Sequence, residues 1–198
     1  MPGPKTPFTT AVVCGLVLTG CVGGQSNSIT TSASTTPGQP LNESHAQTTI
    51  QRYLTVTLNA LPPGVSLSAP LTEANGQKVE FDLANLPAVP CDGNPDSTTG
   101  PKKAQVFYFI TGIPKGKAAE YFNSVVRIWS ERLWQVWPVK PDEQSNAVTN
   151  DGYLLAVARA EAGNGSGRDG LSLAGTSPCF PNPATGTATP LPTVIEHR

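Results

Sequence analysis

The chain has 198 residues and nearly balanced charge, with 13 Lys and Arg against 14 Asp and Glu and a formal net charge of −1. Such a chain lacks the strongly positive surface that nucleic acid or an anionic membrane surface attracts, so we expect no nucleic-acid partner. Charged residues make up 14% of the chain, below the usual quarter, and its 20 Pro and 19 Gly are common in exported proteins with long flexible ends.

The N-terminus has the three zones of an export signal. Lys5 supplies a weak positive charge, and an apolar run occupies residues 8–18. This run is too short to cross a hydrocarbon core about 30 Å thick, which takes about 20 residues. Leu18-Thr19-Gly20-Cys21 follows it and matches a lipobox, where bacterial lipoproteins are acylated and cleaved. We predict a lipoprotein signal peptide at 1–20; the alternative is an ordinary secretory signal in which Cys21 is incidental.

A lipidated cysteine and a flexible tether are predicted for residues 21–44. The segment is rich in Ser, Thr, Gly and Pro and has no apolar periodicity, so it cannot bury enough surface to offset its ordering entropy. It would span roughly 25 Å. A diacylglyceryl group on Cys21 carries two chains, which is enough for stable anchoring at about 0.8 kcal/mol per buried CH₂. We therefore expect a protein held at the outer face of the cell membrane.

Two segments of the remaining chain carry apolar residues at helical spacing. The first ends at Pro62-Pro63-Gly64, and the second starts after Pro114, a residue suited to a first helical turn. In the first segment the apolar positions are Ile50, Tyr53, Leu54, Leu58 and Leu61; in the second they are Ala118, Phe122, Val125, Trp129 and Leu133. Both patterns predict amphipathic helices with one face in the core.

Extended segments are predicted at 78–83, 104–111 and 134–139, and as a hairpin of 153–162 with 171–174 across a Gly-rich turn. Strands that follow one another in this way favour a mostly antiparallel sheet. We predict an α+β fold, a two-layer sandwich with both helices on one face of the sheet.

The folded part is predicted as a single domain at 45–181, which is a normal domain size. Residues 182–198 read as an irregular C-terminal tail, although Val194-Ile195 could dock onto the domain.

Two cysteines remain in the domain, Cys91 and Cys179, because Cys14 leaves with the leader and Cys21 carries lipid. In an oxidising compartment two cysteines most simply pair, and a loop of this length gives roughly 4–5 kcal/mol of stabilisation. The alternatives are a reactive thiol or a metal pair, but the chain has too few Cys and His for a tetrahedral metal site. We predict a structural disulfide.

Four short motifs together resemble those of a known group: the lipobox at 18–21, ALPPG at 60–64, PCD at 90–92 and SPCF-P at 177–181. They recur in small cell-envelope lipoproteins of mycolic-acid bacteria, the actinobacterial (mycobacterial-type) Lpp group. The resemblance implies a compact α/β domain with one disulfide. Most of that group has no assigned activity, so the resemblance implies no catalytic residues.

No motif for catalysis or for cofactor binding stands out. The only histidines, His45 and His197, lie near the ends of the domain and the chain, and the elbow and metalloprotease motifs are absent. The run from Asp92 begins like a calcium loop but places Ser97 and Lys103 where Gly and an acid are needed. The Gly-rich segment 163–170 lacks the P-loop lysine. We expect no catalytic residue, no metal and no cofactor.

The aromatic residues allow two interpretations. The simpler one places Trp129 and Phe122 in the core, and the other is an aromatic-lined site for a lipid tail or sugar ring. We predict a membrane-anchored, non-enzymatic binding or structural module of unknown partner, which would be a protein or another component of the envelope. The alternative is a small lipid or glycolipid carrier with an apolar cavity lined by Phe107, Phe109, Phe122 and Trp129. A hydrolase with a carboxylate pair is a weaker third hypothesis.

We expect Cys21→Ala to release the protein from the membrane into the soluble or secreted fraction, because the substitution removes the sulfur that carries the lipid. Immunoblotting of fractionated cells measures the distribution. Cys14→Ala is the matched control, since Cys14 lies in the removed leader. Membrane retention of the Cys21 variant would contradict lipid anchoring.

Overall fold

The computed structural model shows a seven-stranded antiparallel sheet and two helices. It describes residues 41–69, 72–74, 77–79, 86–160, 170–181 and 190–198. The helices are α1 (Glu43–Leu58) and α2 (Ala118–Glu131). The strands are β1 (Ser66–Ser68), β2 (Thr72–Ala74), β3 (Gln77–Val79), β4 (Val89–Pro90), β5 (Lys102–Lys103), β6 (Gln105–Thr111), β7 (Gln135–Lys140), β8 (Gln144–Val148), β9 (Leu154–Ala160), β10 (Gly170–Thr176) and β11 (Val194–Glu196).

The main sheet has the strand order β11-β1-β6-β10-β9-β8-β7, and every neighbouring pair is antiparallel. The β2–β3 and β4–β5 pairs form two small separate sheets. Both helices lie against the main sheet, α1 over β6 and β10 and α2 over β7, β9 and β10. The predicted α+β sandwich is confirmed, with the helices on one face.

Helix α1 begins at a side-chain cap. The Asn42 side chain accepts a hydrogen bond from the His45 backbone N–H at 2.9 Å, which satisfies one of the free donors of the first turn. The predicted apolar stripe faces the core, with Ile50, Leu54 and Leu58 fully buried. The helix starts two residues inside the predicted tether.

Helix α2 ends in a Schellman motif. The Trp134 N–H donates to the Trp129 carbonyl at 3.2 Å, and the Leu133 N–H donates to the Ser130 carbonyl at 3.0 Å. Leu133 takes the left-handed position that glycine usually fills, with φ of 60°. The expected helical stripe is therefore wrong for Leu133, whose side chain is 84% exposed.

Side chains alternate between the two faces of the sheet. In β6, Val106, Tyr108 and Ile110 are buried while Phe107 and Phe109 are only partly buried. Neighbouring strands continue the buried set on the helix side with Leu155 and Val157 in β9 and Leu171 and Leu173 in β10. This layer packs against the apolar faces of α1 and α2 to form the core.

Inside the core, a hydrogen bond joins the two helices. The indole Nε1–H of Trp129 donates to Thr57 Oγ1 at 3.0 Å, and both residues are fully buried. Because the Trp129 N–H would otherwise be buried without a partner, this bond removes a cost of about 1–3 kcal/mol.

The predicted disulfide is confirmed between Cys91 and Cys179, whose Cα atoms lie 6.3 Å apart and whose sequence separation is 88 residues. Beside it, Lys102 and Phe180 form a two-way backbone bridge at 2.9 and 2.7 Å. The segment after β10 is thus held to the β4–β5 hairpin covalently and by hydrogen bonds.

Three strands of the main sheet were not predicted: β1, β8 and β11. The expectation of an irregular tail at 182–198 is wrong for Val194–Glu196, which pair with β1 and form one edge of the sheet. The strand predicted at 78–83 is seen at Gln77–Val79, and residues 80–83 lie outside the described part. The hairpin of β9 and β10 forms as predicted.

Gly175 allows α1 to approach the sheet closely. A Cβ atom at this position in β10 would overlap Ile50 Cγ2 of α1 and contact Leu155. The absence of a side chain here therefore sets the distance between the helix and the strand.

We expect Gly175→Ala to lower the free energy of unfolding by about 1–3 kcal/mol, through overpacking against Ile50. Ile50→Ala alone should lower the free energy of unfolding by about 2–5 kcal/mol. The decrease in the double variant should be smaller than the sum of the two single decreases, by about 1 kcal/mol or more. Denaturant unfolding of the four proteins measures the cycle. Strict additivity would show that the two positions do not meet.

Candidate functional site

The four residues predicted to line an apolar cavity are not brought together. Phe122 and Trp129 lie on α2 in the core, with 4% and 0% of their surfaces exposed. Phe107 and Phe109 lie on the opposite face of the sheet, where alternation along β6 directs them away from the helices. The prediction of one shared cavity is therefore wrong, because the sheet itself separates the two pairs.

The three tryptophans occupy three different environments. Trp129 is in the core, Trp134 is half-buried beside α1, and Trp137 is half-buried on β7. Trp137 pairs with Asn146 across the sheet and so shares a face with Phe107 rather than with Trp129.

The face of the sheet away from the helices carries a continuous, largely apolar surface, which we call the open face. Two cross-strand rows form it. They are Phe107, Ala174, Ala156, Asn146 and Trp137 in the first row and Phe109, Ser172, Ala158 and Gln144 in the second. None of these nine side chains is charged, and all except Ser172 are partly exposed. The charged Lys140 of β7 pairs with Gln144 and borders the second row.

The open face has a floor of small side chains between aromatic residues. The Phe107 and Phe109 rings pack edge to face with centroids 5.2 Å apart. Trp137 stands four strands away, about 19 Å at the usual strand spacing. Alanine and serine fill the intervening positions, so the surface is shallow and accessible to a partner that can pack between the rings.

An unpaired acceptor lies in the same row. Within the part of the chain that the structure describes, the side-chain oxygen Oδ1 of Asn146 is buried and has no hydrogen-bond partner. A buried acceptor without a partner costs free energy.

A second group of aromatic and polar side chains joins α1 to the turn between β8 and β9. Asp151 Oδ1 accepts hydrogen bonds from the Tyr53 hydroxyl at 2.7 Å and from the Thr149 hydroxyl at 2.6 Å. The Tyr53 ring contacts Trp134 at 5.3 Å and Tyr153 at 5.6 Å between centroids. This arrangement holds Asp151 as a double acceptor and stabilises the turn.

Cations flank these rings. The Arg52 guanidinium lies 5.1 Å from the Tyr53 ring centroid, and that of Arg132 lies 5.8 Å from Trp134. Burial, together with the hydrogen bond to Asp151, raises the pKa of Tyr53 to about 12. Burial also raises the pKa of Tyr153. Both phenols are therefore neutral at physiological pH, and the Tyr53 hydroxyl acts as a hydrogen-bond donor to Asp151 rather than as a base.

The two histidines and the loop after Cys91 make local contacts or lie in regular structure. The His197 ring forms a hydrogen bond with the Leu61 carbonyl at 3.0 Å, and His45 lies in the first turn of α1. In the loop after Cys91, Asp92 and Asn94 accept bonds from backbone N–H groups two residues on, which makes two Asx turns. Among the described residues, no three His, Cys, Asp or Glu side chains meet in a group that could hold a metal ion.

The predicted lipid attachment site, Cys21, lies outside the described residues. No helix within the described ranges is both long and apolar enough to span a bilayer.

Sequence reasoning missed Asn146 and Asp151 because it did not recognise β8. A signal was present: the Asn150-Asp151-Gly152 turn is typical of a hairpin and separates β8 from β9. The segment before it, Gln144 to Val148, is mostly polar and small and so lacks an apolar pattern.

No family model matches the chain, and no curated protein or solved structure is significantly similar to it. The resemblance to actinobacterial envelope lipoproteins therefore stays a prediction. The function of the chain is therefore inferred from its own residues and geometry.

We expect Asp151→Asn to lower the pKa of Tyr53 below about 12 without returning it to the ordinary value, because burial remains the larger cause. NMR titration of the tyrosine Cζ resonances measures the shift. Asp142→Asn, in the β7–β8 turn, is the control and should change nothing.

The same titration has a consequence for stability. A phenol that keeps its proton to higher pH in the folded state than in the unfolded state, where it titrates near pH 10, stabilises the fold fully below that pH. The contribution is lost as pH rises from about 10 towards 12, and Asp151→Asn should reduce this loss. An unchanged Tyr53 titration in Asp151→Asn would contradict the hydrogen bond.

Proposed function

We propose that this protein is an exported lipoprotein of the cell envelope and that its domain is a non-enzymatic module that binds another envelope protein through the open face. The observation that supports this most directly is the uncharged, partly exposed surface between Phe107 and Trp137. Contiguous apolar surface on a soluble domain is costly in water and commonly marks an interaction site.

The difference between the helix-covered face of the sheet and its open face supports a binding role. The helix side holds the core, which includes none of the aromatic rings of the open face. Phe107, Phe109 and Trp137 therefore cover no part of the hydrophobic core that the helices form, and aromatic residues are typical anchors at protein interfaces.

The predicted anchor and tether suit such a module. A tether of roughly 25 Å lets the domain reorient above the membrane. Anchoring confines it near other membrane and envelope proteins, which raises their effective concentration without any new contact. A binding surface of modest affinity would be sufficient under these conditions.

The four residues on which the carrier hypothesis depended do not line one cavity. Phe122 and Trp129 are closely packed in the core, Trp129 is bonded to Thr57, and the two phenylalanines of β6 lie beyond the sheet. A lipid tail between helices and sheet would have to displace these side chains. Binding on the open face requires no such rearrangement.

Site-specific photocrosslinking tests the proposal. A photoreactive benzoylphenylalanine at Phe107 in the full-length protein, expressed in the native envelope, should form a covalent adduct with a protein of defined mass. The same residue at Arg127, on the solvent side of α2 and paired with Glu131, is the control and should form none. Trp137→Ala in the Phe107 background should lower the adduct yield several-fold, as loss of an aromatic anchor does.

The outcomes separate the hypotheses. A protein adduct that depends on Phe107 and Trp137 supports the module. An adduct only with lipid or glycolipid would support the carrier instead. Equal adducts from Phe107 and Arg127, or none from Phe107, would contradict binding at the open face.

A further inference from the structure

The edge strand β11 presents backbone hydrogen-bonding groups that β1 does not use. The Ala69 N–H donates to the Thr193 carbonyl at 2.7 Å, and the register pairs Leu67 with Ile195. In an antiparallel pair the residues that bond to the neighbour alternate with residues whose N–H and C=O point away. Val194 and Glu196 are therefore directed away from β1. No strand within the described ranges pairs with that side of β11.

A groove of about 540 Å³ runs along this edge, between β11 and α1. Its helix wall includes Thr48, Arg52 and Thr55, which lie at i, i+4 and i+7 and so share one face of α1. Its other wall includes Val194, Glu196 and Arg198. A strand edge facing a helix across a groove is a geometry in which an extended peptide can add to a sheet.

The far end of this wall is held in place. The Arg198 N–H donates to Asn59 Oδ1 at 3.0 Å, and the His197 ring bonds to the Leu61 carbonyl. Nearer the start of β11, the Pro192 carbonyl accepts from the Tyr108 hydroxyl at 2.7 Å. The edge is thus fixed on both sides of β11, which lowers the ordering cost of adding a strand.

The charged side chains of the groove indicate which kind of peptide ligand it favours. Glu196 and Arg198 lie together on the strand wall, where their side-chain charges offset each other. Arg52, on the helix wall, is exposed and forms no salt bridge with any described residue. It therefore favours a ligand with an acidic side chain on that side of the groove. Residues 21–40 of this chain contain no Asp or Glu, so the predicted tether does not match the groove.

We propose that an extended, acidic peptide segment of another envelope protein adds as a strand beside β11, with its backbone bonded to Val194 and Glu196 and a carboxylate near Arg52. This edge shares none of the nine residues of the open face, although Val194 aligns with Phe109 through Ser68 of β1. It extends the same sheet at the end opposite to β7. The backbone bonds supply affinity, and Arg52 supplies preference for an acidic side chain.

Fluorescence anisotropy with defined peptides tests this assignment. The full-length protein, purified in detergent under non-reducing conditions, is titrated into a labelled peptide of alternating threonine and valine that carries two aspartates. An otherwise identical peptide with two asparagines removes the charge. A third peptide, N-methylated at alternate backbone nitrogens, removes hydrogen bonds on one edge.

The aspartate peptide should bind, and N-methylation should weaken binding about tenfold or more. Replacing aspartate by asparagine should weaken it about two- to fivefold, as expected for an exposed ion pair. Arg52→Gln should abolish that difference between the peptides. Arg127→Gln on α2 is the matched control and should preserve it.

Two substitutions at position 196 distinguish the contribution of its backbone N–H to peptide binding from that of its side chain. Glu196→Pro removes an N–H that points away from β1, so the β1 ladder persists while peptide binding falls about tenfold or more. Glu196→Thr keeps the N–H and removes the carboxylate, so binding should be equal or tighter. Circular dichroism verifies that both variants are folded.

Several results would overturn the proposal. These are no binding of any peptide by the folded protein, equal binding of the N-methylated peptide, or equal loss in both Glu196 variants. A dimer in analytical ultracentrifugation that Glu196→Pro dissociates, without peptide binding, would show that the occupant is a second copy. If no peptide binds beside β11 while the Phe107 crosslink persists, the edge proposal is wrong and the proposed function stands.

Discussion

Close packing of both helices on one face of the sheet is the constraint on which the rest of the structure depends. Helix α1 approaches β10 where Gly175 leaves room for Ile50, and α2 is joined to α1 by the buried bond from Trp129 to Thr57. Because strand side chains alternate strictly, this one-sided packing assigns every second residue to the core. The remaining residues form the other face, whatever their hydrophobicity.

That assignment accounts for both proposed binding surfaces. Phe107 and Phe109 belong to a strand rich in apolar residues, yet only three of its side chains can face the helices. The sheet is also finite: β11 is short and ends it beside α1, so the edge and the helix enclose a groove. Neither surface is needed to complete the core, which is consistent with roles in recognition. The disulfide lies beyond the ends of β6 and β10 that are remote from the β1 pairing, and it fastens the chain there.

The sequence predicted the disulfide and those helices and strands whose apolar residues have strong periodicity. The helical stripe of α1, the β-branched and aromatic run of β6, the β9–β10 hairpin and the Cys91–Cys179 bond all have local signals that the tertiary structure does not oppose. Three strands escaped prediction because their signals are weak. Strand β8 packs small residues such as Ser145 and Ala147, and β1 and β11 have only three residues each.

The candidate site could not be predicted from the sequence for a different reason. Periodicity shows that Phe107 and Phe109 share a face of β6, but not which face the helices cover. Their grouping with Phe122 and Trp129 assumed that large aromatic residues lie together in the core. In this sheet the covered positions fall instead to Val106, Tyr108 and Ile110, and Tyr108 is accommodated because its hydroxyl reaches the Pro192 carbonyl.

Carbene footprinting of the full-length protein, read at single residues by mass spectrometry, tests the one-sided sheet most directly. For the purified protein we expect labelling that alternates along β6, with Phe107 and Phe109 modified and Val106, Tyr108 and Ile110 protected, and with Trp137 modified but Trp129 protected. In intact envelopes, Phe107 and Trp137 should become protected. Uniform protection along β6 in the purified protein, or labelling of Trp129 to the level of Trp137, would contradict helix packing on one face of the sheet.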